Sequence, residues 1–65
     1  MKITVNGSPR EVAAATLAAA LAALDYGDAV VATALNGAFV PARARAATPI
    51  ADGDAVEIVA PMQGG

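Results

Sequence analysis

The sequence has no cysteine and no histidine. Without cysteine there is no disulfide, no thiolate nucleophile and no sulfur-ligated metal site. Without histidine the chain lacks the usual general base near neutral pH and the usual imidazole metal ligand. Tryptophan is absent too, and the aromatic residues are Tyr26 and Phe39 alone. No apolar run approaches the roughly 20 residues that span a bilayer, and the start, Met1-Lys2-Ile3-Thr4-Val5-Asn6, lacks the layout of a signal peptide. A soluble, cytoplasmic protein without membrane contact is expected. Charge is sparse: four basic residues against six acidic disfavour nucleic-acid phosphate as the partner. A glycine-rich phosphate loop opening a helix is also missing, so no nucleotide, metal or other cofactor is expected on the chain itself.

What is present is chiefly alanine and aliphatic residues. Apolar residues make up 57% of the 65, but 19 of them are alanine. A chain of this length is one domain, close to the lower limit for folding without a covalent or metal staple. Its core must be small and aliphatic.

Met1, Ile3 and Val5 alternate with Lys2, Thr4 and Asn6, the period of a strand with one buried face. Asn6-Gly7 and Ser8-Pro9 are turn chemistry, predicting a hairpin into a weak edge strand around Arg10–Ala13. Thr16 is a candidate N-cap for a helix over Leu17–Leu24, with Leu17, Leu21 and Leu24 on one face and Gly27 as its stop. Ala29–Leu35 reads as a β-branched strand, Asn36-Gly37 as a second hairpin turn, and Ala38–Val40 as the return strand closed by Pro41. Periodicity fails from Ala42 to Ala51, where a connection with one helical turn is expected. Asp52-Gly53-Asp54 is a tight turn before a last strand over Ala55–Ala60. Strand, strand, helix, strand, strand, strand is an α+β layout. With the first and last strands parallel neighbours under the helix, it is the β-grasp arrangement, a mixed four- to five-stranded sheet with one helix on one face. Residues 1–60 are expected to form this domain and residues 61–65 a flexible tail.

The tail, Pro61-Met62-Gln63-Gly64-Gly65, carries the functional expectation. Pro61 has no N–H for a sheet and ends the strand. Gly64 and Gly65, with no side chains, can thread a passage closed to other residues. Five extended residues reach roughly 16 Å, enough to put the Gly65 carboxylate in a partner's active site. Gln63 and Met62 would follow it in. Met62 has two readings, gripping an enzyme surface or packing back on the domain.

Asn36-Gly37, Val40-Pro41, Thr48-Pro49, Asp52-Gly53-Asp54 and the terminal Met62-Gln63-Gly64-Gly65 together resemble the sulfur carrier proteins of thiamine biosynthesis, the ThiS family. The resemblance covers almost the whole chain, including its length, its early Asn-Gly turn and its Thr-Leu helix start. It implies a ubiquitin-like β-grasp protein that is a substrate rather than an enzyme, and monomeric when free. An E1-like adenylating enzyme using ATP and magnesium would convert the Gly65 carboxylate to an acyl-adenylate. Sulfur from a persulfide enzyme would then replace AMP, leaving a thiocarboxylate that thiazole synthase uses to build the thiazole ring. One departure is plain: family members often carry a basic residue directly after Val-Pro and an aromatic soon after, whereas here the segment is Ala42-Arg43-Ala44-Arg45-Ala46.

Several readings stay open on sequence. Arg43 and Arg45 are a partner-binding patch or solvated surface. Phe39 is a packing residue in a small core or an aromatic anchor for a partner. Asp52 and Asp54 read as turn-forming carboxylates rather than metal ligands. Three rival functions remain: a molybdopterin-synthase small-subunit type of sulfur carrier, a protein-conjugation tag joined through Gly65, and a β-grasp module binding RNA.

Overall fold

Two Asn-Gly pairs turn the chain back on itself and set the framework. Asn6 and Gly7 have φ of 51° and 84°, and Asn36 and Gly37 have 51° and 86°. Positive φ at both central positions is the type I′ hairpin turn, whose twist matches that of the strands it joins. A computed structural model describes residues 1–60. The tail assigned to residues 61–65, with the roles expected of Met62, Gln63, Gly64 and Gly65, lies outside the described residues. The first turn joins β1 (Lys2–Val5) to β2 (Ser8–Glu11), and the second joins β3 (Ala32–Leu35) to β4 (Ala38–Val40). The helix α1 (Leu17–Ala23) lies between these hairpins in sequence, and β5 (Ala55–Val59) comes last. The sheet order is β2-β1-β5-β3-β4, with β1 and β5 parallel and the other pairs antiparallel. This is the expected ubiquitin-like β-grasp, with five strands.

Side-chain alternation gives the sheet one apolar face. Ile3, Val5, Val56, Ile58 and Val40 are buried, and Leu17, Ala20 and Leu21 of α1 join the same core cluster. Leu17 is fully covered. Burying such a side chain contributes about 1.5–3 kcal/mol. Thr16 caps the helix as predicted, its hydroxyl accepting from the Ala19 N–H at 3.2 Å. Val12 and Ile50, from the connections, complete the core. No helix among the described residues is long and apolar enough to cross a membrane.

Five element bounds differ from the sequence reading. The second strand begins at Ser8, not Arg10, because the two-residue turn already sets Ser8 opposite Val5. Pro9 is tolerated there: Thr4 and Pro9 face each other at a non-hydrogen-bonded position of an edge strand, so no ladder bond is lost. The helix stops at Leu24 rather than at Gly27, because Asp25 takes the left-handed conformation, φ 68°. The Tyr26 N–H then bonds the Leu21 carbonyl at 2.7 Å and the Asp25 N–H the Ala22 carbonyl at 3.2 Å, a Schellman closure. Strand β3 starts at Ala32 rather than Ala29, since Ala32 pairs with Val59 at the end of β5, leaving residues 29–31 no β5 residue to pair with. The connection after Pro41 holds a six-residue 3-10 helix, Ala42–Ala47, longer than the single turn expected. The last strand ends at Val59, one residue short of the predicted Ala60.

Candidate functional site

Strand β5 is the last element before residues 61–65, to which the sequence reading assigns the partner-facing chemistry, and the surface beside its end is the candidate site. Val56 and Ile58 point into the core, which turns Ala55, Glu57 and Val59 to the opposite face. Register places Val59 opposite Ala32, Glu57 opposite Ala34, and Ala34 opposite Phe39. The alanines between the larger side chains are too small to cover them. Val59 is 63% exposed, Phe39 70% and Val30 80%. Two shallow hollows of about 230 and 300 Å³ lie among these residues, the first bounded also by Glu57. The result is an apolar patch on the sheet face away from α1, at the root of residues 61–65.

Phe39 thus stands on the outer face, which excludes its reading as a core-packing residue. Arg43 is exposed, whereas Arg45 is half-buried and turned inward. The Arg45 Nε donates to the Thr33 hydroxyl at 2.9 Å, and its Nη2 donates to the Val31 carbonyl. Thr33 is itself buried, and its hydroxyl donates to the Val40 carbonyl at 2.8 Å. Arg45 therefore holds the 3-10 helix against β3 and the Val30–Val31 segment, leaving Arg43 as the outward cation of the pair. Sequence reasoning missed Val30 and Val59. The inward phase of Val56 and Ile58 carries the signal for Val59, while nothing local distinguishes Val30 from a strand residue.

The Asp52-Gly53-Asp54 turn works through its carboxylates. Asp52 Oδ1 accepts from the Lys2 N–H at 2.6 Å. Asp54 accepts from the Ala51 N–H at 2.8 Å and from the Asn36 carboxamide at 3.1 Å. Those bonds, the Ala51 bond foremost, favour the ionised form and hold the Asp54 carboxyl below its ordinary 3.8. Both aspartates thereby tie the start of β5 to its neighbours. Among the described residues, no group of three or more Cys, Asp or Glu side chains is placed to hold a metal.

An exposed apolar patch therefore lies beside the end of the last described strand. The model of the ThiS family matches residues 3–65. A crystal structure of the thiamine biosynthesis protein ThiS from Geobacter metallireducens is similar over all of both chains, with 40% identity and a TM-score of 0.83. A solution structure of a thiamine biosynthesis protein from the same organism shares 39% identity over all of this chain and 88% of its own, with a TM-score of 0.78. Among curated proteins none matches significantly.

Proposed function

The chain belongs to the ThiS family, and on that premise we propose that it is a sulfur carrier of thiamine biosynthesis that works through the carboxylate of Gly65. The single observation that carries this reading is that the family match runs through the Gly64-Gly65 pair, to residue 65.

The chemistry follows from the terminal group. An α-carboxyl has a reference pKa near 3.5, so at neutral pH it is an anion and a poor electrophile. Activation requires a better leaving group. A carboxylate oxygen attacks the α-phosphorus of ATP, pyrophosphate leaves, and an acyl-adenylate forms. The terminal sulfur of a persulfide then attacks the carbonyl carbon and AMP departs. A thiol cleaves the resulting S–S bond, is itself oxidised to a disulfide, and releases the thiocarboxylate. Its sulfur passes to thiazole synthase. With no cysteine in this sequence to carry a persulfide, the sulfur donor is a partner enzyme, and on the family reading the nucleotide and magnesium are brought by the adenylating partner.

The patch of Phe39, Val59 and Val30 is the surface through which we expect the adenylating enzyme to take hold, with the exposed Arg43, on the 3-10 helix that packs beside α1, as a further contact. Exposed aromatics are favoured anchors at such contacts. Gly64 and Gly65 would enter the active site, with Gln63 and Met62 behind them. The test is the intact mass of the protein isolated from its native cells. One oxygen replaced by sulfur at Gly65, with thiazole synthase as the co-purifying enzyme, is the expected result. An unmodified terminus in thiamine-starved cells, or co-purification with a molybdopterin-synthase large subunit, contradicts it.

A further inference from the structure

Strand β5 outlasts its neighbour β1. The parallel ladder between them has the Thr4 N–H on the Asp54 carbonyl at 3.0 Å and the Asn6 N–H on the Val56 carbonyl at 2.9 Å. Beyond that point the main chain turns away through Asn6-Gly7. Ile58 would be left with an N–H and a carbonyl facing no strand. The side chain of Asn6 fills that place. Its Oδ1 accepts from the Ile58 N–H at 2.8 Å and its Nδ2 donates to the Ile58 carbonyl at 3.0 Å. A carboxamide has the same donor and acceptor as a peptide unit, so it continues the ladder after the backbone has left.

Asn36 offers a natural comparison, in the other Asn-Gly turn and at the same φ of 51°. Its Oδ1 accepts from the Ala55 N–H at 2.9 Å and its Nδ2 donates to Asp54 Oδ1 at 3.1 Å. Asn36 thus grips the start of β5, and Asn6 grips its end. Val59 and Ala60, just past Ile58, are exposed, and Pro61 follows.

We propose that Asn6 is a positioning residue for residues 61–65. By fixing Ile58 on the β1 side, it holds the strand end from which Val59 and Ala60 continue. The inference rests on the reading of Gly65 as the activated group. A docked partner then meets a strand end fixed at Ile58, and the near-attack geometry of the carboxylate depends on that fixed point.

The test compares the full-length wild-type chain with Asn6→Gly, Asn6→Asp and Asn36→Gly. Glycine and aspartate both accept positive φ, so the hairpin turn survives in each variant. Asn36→Gly removes the same number of side-chain hydrogen bonds from the opposite end of β5, and so reports plain destabilisation. The measurements are amide exchange at Ile58 by NMR and kcat and KM for pyrophosphate release by the cognate adenylating enzyme. For Asn6→Gly, Ile58 exchange is expected to rise and kcat to fall, each about tenfold, with KM within about twofold of wild type. Asn6→Asp, which keeps the acceptor and loses the donor, is expected to lie between. Asn36→Gly is expected to lower the melting temperature comparably and leave kcat unchanged. Equal kcat losses in Asn6→Gly and Asn36→Gly, or full activity in Asn6→Gly, overturn the proposal. A wild-type chain that is not adenylated contradicts the sulfur-carrier reading instead.

Discussion

Asp25 holds a left-handed conformation, φ 68°, at the C-terminal end of α1. A side chain there costs about 1 kcal/mol relative to glycine, and a carboxylate at that helix end opposes the macrodipole. Asp25→Gly is therefore expected to stabilise the domain by about 0.5–1 kcal/mol after the added freedom of the unfolded chain is counted. That corresponds to a rise in Tm of roughly 2–8 °C by calorimetry, and an unchanged or lowered Tm would show the cap geometry to be wrong. Asp54 sets a pH dependence. Its folded-state pKa lies below the ordinary value, so its contribution is complete above the unfolded value near 3.8 and is lost as pH falls through the lower folded one. Denaturant midpoints should drop on acidification below about pH 4, and less steeply in Asp54→Asn. Phe39 is 70% exposed, so Phe39→Ala should change stability by less than about 1 kcal/mol. Its effect should instead appear as a roughly tenfold higher KM with the adenylating enzyme. An unchanged KM would remove Phe39 from the docking face.

At the scale of elements, legibility follows how local the determining physics is. The N-cap of α1, both type I′ turns and the strand Ala38–Val40 depend on a few adjacent residues, and they were readable at once. The start of β3 was not, because Val30 and Val31 have strand propensity but their place in a ladder depends on where β5 ends, more than twenty residues later. The helix stop was misplaced for a related reason. Gly27 has the greater freedom, but the Tyr26 side chain packs against the core and draws the closure two residues earlier. The helix also supplies the sharpest stability test. Leu21 is buried against the sheet. Leu21→Asp forfeits about 2–5 kcal/mol of packing and adds an unpaired buried charge, against a total stability of roughly 3–10 kcal/mol for a domain of this size. No cooperative thermal transition should remain by circular dichroism. A melt like that of the wild type would mean the buried helical face has been misassigned.

Across the whole molecule, a small aliphatic core supports two unlike faces of one sheet, one under α1 and the other open around Phe39 and Val59. The sequence pointed to Phe39 as a candidate; the sheet register sets it level with Glu57, and it lines one shallow hollow together with Val59 at the end of β5. Arg43 and Arg45 looked equivalent in sequence, yet their 3-10 setting sends one outward and ties the other to Thr33 and Val31. The expectation placed on Gly64-Gly65 comes from sequence alone, from two residues with no side chain, and they lie outside the described residues. The most direct measurement is to incubate the chain with its cognate adenylating enzyme and magnesium-ATP, follow pyrophosphate, then add the persulfide donor and weigh the intact protein. The account predicts about one pyrophosphate per chain at the first step and one oxygen exchanged for sulfur at Gly65 at the second. No pyrophosphate and an unaltered C-terminus would contradict it.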